Sequence, residues 1–210
     1  KPPMLKNLEQ YLPYLQGFRD FLTSHPDIRF SACTTRSLAA GIRIVELAGI
    51  NDLCAFEGGN VIYSPRTSQA YSLVGNESRF ADYRDALRVL QDWSQSLRET
   101  DVAYRLGVKP ENLRRLPDRK TVVTFEILPF DAPPRTGYEL WLVLQQYFLR
   151  EDVERELKQG KLKVNPSKGA FDIQLNITKS DAVEHILAAY GLSGDQALGI
   201  GDRYHSDLAI

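Results

Sequence analysis

Leu38, Ile42, Val45 and Leu47 give the stretch 38–48 one apolar side at helical spacing, and Gly49 supplies its stop. The same period predicts a helix over 5–22 broken at Pro13, a long amphipathic helix over 79–99, and helical structure over 137–159 in one or two pieces. A last helix runs to Tyr190, with Thr178 or Ser180 as its cap. Short apolar or β-branched runs predict strands at 28–33, 53–56, 61–63 and 71–74. The clearest strand signal is Thr121-Val122-Val123-Thr124-Phe125-Glu126-Ile127. The runs 162–164 and 171–175 pair as a hairpin around Pro166-Ser167-Lys168-Gly169, and Ala197–Ile200 reads as a final strand.

The order of these elements implies an architecture. Helix and strand alternate through the first third with short connections, which predicts an α/β fold with a Rossmann-like parallel-sheet core. From about Arg66 the rhythm changes to long helices and hairpin strands, the pattern of an α+β insert with an antiparallel sheet. After residue 175 the first rhythm returns. The expected organisation is a core domain from 1–65 and 176–210 with a second domain, 66–175, inserted into it.

Composition narrows the partners. The 210 residues are 43% hydrophobic and 25% charged with a net charge of −1, and the densest basic cluster, 158–163, reads as a solvated helix end. This argues against nucleic acid as the main partner. No apolar run is long enough for a membrane span. Cys33 and Cys54 sit in separate apolar runs and read as reduced core thiols, and with no signal-peptide pattern the expected compartment is the cytoplasm. Two Asn-x-Ser/Thr sequons, at Asn76 and Asn176, are of the kind that chance supplies.

In an open α/β sheet, functional groups gather beyond the carboxyl ends of the strands. Three such ends are polar here: Thr34 after 28–33, Glu57-Gly58-Gly59-Asn60 after 53–56, and Gly201-Asp202 after 197–200; Lys179 opens the helix before the last strand. A hydroxyl, an ammonium and a carboxylate around one pocket suit a phosphate ester and Mg²⁺: the hydroxyl holds phosphoryl oxygens, the ammonium offsets their charge, and the acid is a hard ligand. Each residue also has a plain structural reading. Thr34 caps a helix, Lys179 is solvated, 57–60 is a hairpin turn, Asp207 is a cap and His205 is exposed. The case rests on their conjunction and order.

That order resembles the haloacid dehalogenase-like superfamily, in particular the Cof-type sugar phosphatases with a large inserted cap. Phe30-Ser31-Ala32-Cys33-Thr34-Thr35-Arg36-Ser37 resembles the family's second motif. Phe56 to Tyr63 is similar to its Glu-Asn-Gly segment with the glycine and asparagine order altered, and Asn176 to Ala182 resembles the third motif. Gly199-Ile200-Gly201-Asp202-Arg203-Tyr204-His205-Ser206-Asp207 resembles the fourth. The resemblance implies a phosphatase acting on a small phosphorylated metabolite such as a sugar phosphate through an aspartyl-phosphate intermediate. Thr34, with backbone help from Thr35, and Lys179 would hold the phosphoryl group. Asp202 and Asp207 would hold Mg²⁺, Gly59 and Asn60 would face the substrate, and the insert would be the cap. One feature departs from the family: its nucleophile is the first Asp of an Asp-x-Asp, and this sequence contains none. The expectation is a trimmed sequence with that motif upstream of Lys1. The alternative is a non-catalytic domain of the same fold that holds a phosphorylated ligand or a protein partner. A third reading, an unrelated nucleotide binder, is weakened by the lack of a Gly-x-Gly-x-x-Gly turn.

Overall fold

A computed structural model describes the backbone of residues 3–129 and 135–199, with side chains from residue 13 onward. In chain order the helices are α1 (Pro3–Ser24), α2 (Leu38–Ala48), the single turn α3 (Leu73–Asn76), α4 (Tyr83–Ser96), α5 (Glu99–Leu106), α6 (Gly137–Tyr147), α7 (Glu151–Lys158) and α8 (Lys179–Ala189). The strands are β1 (Cys54–Phe56), β2 (Val61–Ser64), β3 (Gln69–Ser72), β4 (Leu113–Arg115), β5 (Val122–Ile127), β6 (Leu162–Pro166) and β7 (Ala170–Leu175). The chain forms two compact units, one from Lys1–Leu73 with Ile177–Ile210 and one from Val74–Asn176.

In the first unit β1, β2 and β3 form an antiparallel sheet in sequential order. The parallel pairing expected of this region occurs at one place among the described residues, a bridge between Cys33 and Ala55. There the Ala55 N–H donates to the Ala32 carbonyl (2.7 Å) and the Thr34 N–H to the Ala55 carbonyl (3.0 Å). The run 28–33 therefore lies along β1 without forming a full strand. Helices α1 and α2 cover a core of Val45, Ile50, Cys54, Phe56, Val61 and Tyr63, to which α1 contributes Leu15, Phe18 and Leu22. That spacing explains why α1 stays helical through Pro13, where the sequence predicts a break. Pro13 is exposed, and the packed stripe of Leu15, Phe18 and Leu22 that follows it holds the helix to the core. On α2, a Cβ at Gly41 would lie 2.0 Å from the Phe56 ring, so glycine is what admits that ring. Cys54 is fully buried and both thiols are free; burial pushes the Cys54 thiol up to about 11, which keeps it protonated.

One carboxylate ties this unit together. Asp52, 8% exposed, accepts from the Phe30 N–H (3.0 Å), Arg29 (3.2 Å), Arg66 (3.3 Å) and the Tyr190 hydroxyl (3.2 Å). The Tyr190 hydroxyl in turn accepts from the Leu53 N–H at 2.8 Å. Burial, with the Asp52 charge acting in the same direction, raises the Tyr190 phenol above its ordinary range and keeps it a donor.

The second unit is a four-stranded antiparallel sheet of order β4-β5-β7-β6 with α4 to α7. Its core holds Leu90 and Trp93 of α4, Phe125 and Ile127 of β5, Leu140 and Leu144 of α6, and Phe171 of β7. Helix α6 reaches this core through Leu140 and Leu144 and through the half-buried Trp141, stacked on Phe171 at 5.4 Å, whereas Leu142 and Tyr147 are exposed. The hairpin expected around 166–169 is present, with Leu162 opposite Leu175 and Pro166 opposite Phe171. The helix predicted over 79–99 is corrected: α4 ends at Ser96, Leu97 and Arg98 are extended, and α5 begins at Glu99. The strand predicted at 71–74 is displaced toward the N-terminus, with Leu73 already opening a helical turn.

Candidate functional site

Thr34, Gly59, Asn60 and Lys179, four of the predicted site residues, lie in or next to segments that contact one turn. Strand β1 runs into Glu57-Gly58-Gly59, a tight turn leading to Asn60 and β2. Three successive residues there have left-handed backbone, with φ of 53° at Glu57, 72° at Gly58 and 104° at Gly59. Asn60 returns to ordinary right-handed geometry at −77°. The Glu-Gly-Gly-Asn order follows from this: the glycines stand where φ is positive and the asparagine where it is not.

The turn holds the loop after the Cys33 bridge. The Gly58 N–H donates to the Thr34 carbonyl (3.1 Å) and the Glu57 N–H to the Arg36 carbonyl (3.0 Å). Thr34 is half-buried and Thr35 exposed. The Thr34 hydroxyl oxygen accepts from the Arg36 N–H at 3.3 Å, which leaves its proton for an external acceptor. The loop feeds the eleven-residue helix α2, whose N-cap Ser37 makes no side-chain cap bond.

The same turn holds the start of α8. A Cβ at Gly59 would lie 2.4 Å from the Thr178 carbonyl oxygen, so only glycine lets the turn seat against that peptide. Thr178 is the cap of α8, Ser180 is not: the Thr178 hydroxyl accepts from the Asp181 N–H (3.3 Å), and Asp181 accepts from the Thr178 N–H (2.8 Å). Lys179, half-buried, is the first helical residue. One hairpin turn thus touches the Thr34 carbonyl on one side and, through Gly59, the carbonyl of Thr178, the residue before Lys179, on the other. Asn60 is fully buried and its amide donates to the Glu57 carbonyl at 2.8 Å, so its visible work is to close the turn.

Asp202, His205 and Asp207 lie outside the described residues, as does Ile200 of the expected last strand. Ala197–Gly199, the described part of that strand, are exposed and non-regular, with Leu198 at 88% exposure and no ladder partner among the described residues. Among the described residues no three His, Cys, Asp or Glu side chains cluster to hold a metal ion, and none is long and apolar enough as a helix to cross a membrane. A cavity of about 240 Å³ lined by Arg19, Glu46, Gly49, Ile50 and Tyr63 lies at the C-terminal end of α2. An eleven-residue helix is roughly 16 Å long, so this cavity is separate from the Thr34 loop at the other end. Sequence reading missed Glu57, which is fully buried; no local signal in Phe-Glu-Gly-Gly announces a left-handed glutamate.

Solved structures place this geometry in a known fold. The C-terminal domain of the Candida albicans trehalose synthase regulatory protein matches 88% of this chain and 57% of its own, with a TM-score of 0.57 and 10% identity. The C-terminal domain of C. albicans trehalose-6-phosphate phosphatase matches 83% of this chain and 52% of its own (TM-score 0.50, 13% identity). Plasmodium falciparum IMP-nucleotidase matches 84% of this chain and 46% of its own (TM-score 0.51, 8% identity). The fold is haloacid dehalogenase-like. Within this haloacid dehalogenase-like fold the chain spans about half the length of these three solved chains. No protein-family model matches the sequence, and no curated protein matches it.

Proposed function

We propose that this chain belongs to a Mg²⁺-dependent phosphatase that hydrolyses a small phosphorylated metabolite, with a sugar phosphate as the first substrate class to try. The observation that carries the reading is the turn Glu57–Asn60, which fastens the Thr34 loop on one side and the start of α8 on the other. The Thr34 hydroxyl, the start of α2 and Lys179 at the start of α8 would then supply the set of donors a phosphoryl group requires. Thr34 and the N–H of Thr35 would hold phosphoryl oxygens, and Lys179 would offset their charge as it builds. Gly59, expected to face the substrate, is buried against the Thr178 peptide and would serve the site by seating the turn there. Asp202 and Asp207 are the proposed Mg²⁺ ligands, the ion supplying further charge neutralisation. The insert, 66–175 in the sequence reading, would serve as the cap that excludes water and selects the substrate. The phosphatase and nucleotidase among the structural neighbours fit this class.

A second reading has its own support. The sequence holds no Asp-x-Asp, and one of the matching structures belongs to a regulatory protein. On that reading the domain binds a phosphorylated ligand without hydrolysing it. The test is phosphate release from a generic aryl phosphate and a panel of sugar phosphates by the full-length protein, with and without Mg²⁺. Turnover that needs Mg²⁺ and disappears in a folded Asp202→Ala variant is the expected result. Full turnover in Asp202→Ala overturns the metal assignment; no turnover with retained phosphate binding selects the second reading.

A further inference from the structure

Glu57 and Ser68 are the two non-glycine residues with positive φ among the described residues. Ser68 is exposed in a loop, whereas Glu57 is wholly buried. Two glycines follow Glu57 directly, and a third would adopt its backbone without strain. A glutamate here therefore costs the fold twice, once for a left-handed side-chain-bearing residue and once for a carboxylate removed from water. Glycine would avoid both costs, so the presence of glutamate points to a use for the carboxylate itself. Its backbone gives the direction. Glu57 N–H and Gly58 N–H hold the Arg36 and Thr34 carbonyls, and Gly59 sits against the peptide that precedes Lys179. Arg36 and Lys179 are the cations whose backbones adjoin this turn, and a buried carboxylate is stable when cations share it. In the same turn Asn60 Oδ1, also buried, has no hydrogen-bond partner among the described residues, so the corner is furnished with acceptors beyond what the hairpin needs.

We propose that Glu57 is a positioning residue: its carboxylate fixes the Thr34–Arg36 loop and Lys179 relative to each other so that together they grip a phosphoryl group, which Glu57 itself does not touch. The inference rests on the phosphoryl-binding part of the function proposed above, not on turnover. The experiment measures inorganic phosphate affinity by calorimetry, beside phosphate-ester turnover and thermal melting, for the full-length protein and for Glu57→Gly, Glu57→Gln and Glu57→Asp. Expected is about tenfold weaker phosphate binding in Glu57→Gly and Glu57→Gln, partial recovery in Glu57→Asp, and a melting temperature in Glu57→Gly no lower than that of the parent, because glycine relieves the left-handed strain. Where the parent turns over, kcat falls with the affinity. Unchanged phosphate affinity in folded Glu57→Gln or Glu57→Gly overturns the inference. So does lowered melting with full affinity in the folded fraction, which marks a structural acid only. A parent that binds phosphate but hydrolyses nothing removes the phosphatase reading and leaves this inference to be judged on affinity. A parent that binds no phosphate ends both.

Discussion

The two units build the same joint in opposite senses. In each, a β-hairpin turn abuts the N-terminus of a helix that begins with a threonine capping box, and a glycine makes the approach possible. In the first unit the glycine is on the turn: Gly59 meets the carbonyl of the cap residue Thr178, and the first helical residue is Lys179. In the second unit the glycine is on the helix: Gly137 is the first helical residue, a Cβ there would lie 2.0 Å from the Ala170 carbonyl oxygen, and the cap is Thr136 with Glu139. The second joint is relaxed. Its turn, 167–169, has no positive φ, the Ser167 N–H donates to the Ala170 carbonyl (2.8 Å), and the Gly137 N–H to the Ser167 carbonyl (2.9 Å). The first joint carries three left-handed residues, a buried acid and a buried acceptor without a partner among the described residues. A hairpin can meet a capped helix without such costs, as the second unit demonstrates, so the motif itself does not require the strain of the first joint.

The largest expected contrast is at the first helical position. Replacing Lys179 with methionine should lower turnover per folded molecule by roughly 10²–10³-fold, the scale of losing one preorganised charge-stabilising donor, beyond any loss in thermal melting from leaving the buried Glu57 carboxylate one cation short. Gly137→Ala should do the reverse, destabilising by roughly 2–4 kcal/mol through a backbone clash in urea unfolding, with kcat per folded molecule unchanged. If Lys179→Met melts early and keeps its kcat, the two joints are both merely structural. Next in size, Gly59→Ala meets both a carbonyl and a left-handed φ, and should cost about 3 kcal/mol and weaken phosphate binding together; separation of the two effects would detach the turn from the site.

The caps should differ less. Thr136→Ala and Thr178→Ala each remove one cap, worth about 1 kcal/mol, and equal losses are expected by urea denaturation. Smallest is a pH effect confined to the second joint. The Thr136 backbone N–H, aided by the Thr136 hydroxyl and Arg135, holds the Glu139 carboxyl below its ordinary 4.5. A depressed carboxyl stabilises the fold fully above the unfolded value, and that contribution fades as pH falls through the folded one. Hydrogen-exchange protection at the first turn of α6, measured against the intrinsic rate at each pH, should therefore fall below about pH 4.5 in the parent and lose that dependence in Glu139→Gln. An identical pH response in both would remove Glu139 from the account.

Sequence reading reached furthest where one physical signal dominated. Helix α2 begins and ends where its apolar stripe and Gly49 predict, and the β6–β7 hairpin follows its alternation and turn residues. Strand β4 was invisible because it is a three-residue edge with two arginines; only the pairing explains it, through Arg114 opposite Glu126 and their 2.8 Å ion pair. The break at Leu97-Arg98 has neither proline nor glycine, so nothing local separates α4 from α5. At the site, the order of Thr34, the glycine turn and Lys179 was readable by resemblance. What joins them was not, since a carbonyl beneath Gly59 and a left-handed Glu57 are products of tertiary contact.

The Asp52 carboxylate has a consequence for how the molecule is made. It binds Arg29, Phe30 and Arg66 early in the chain, yet also needs the hydroxyl of Tyr190. A ribosome delivers Tyr190 only after all of 74–176 has emerged, and that stretch is continuous, with its own core. During synthesis the insert can finish folding while its host still waits for the last tyrosine of its keystone, so the later-encoded unit is the first to be complete.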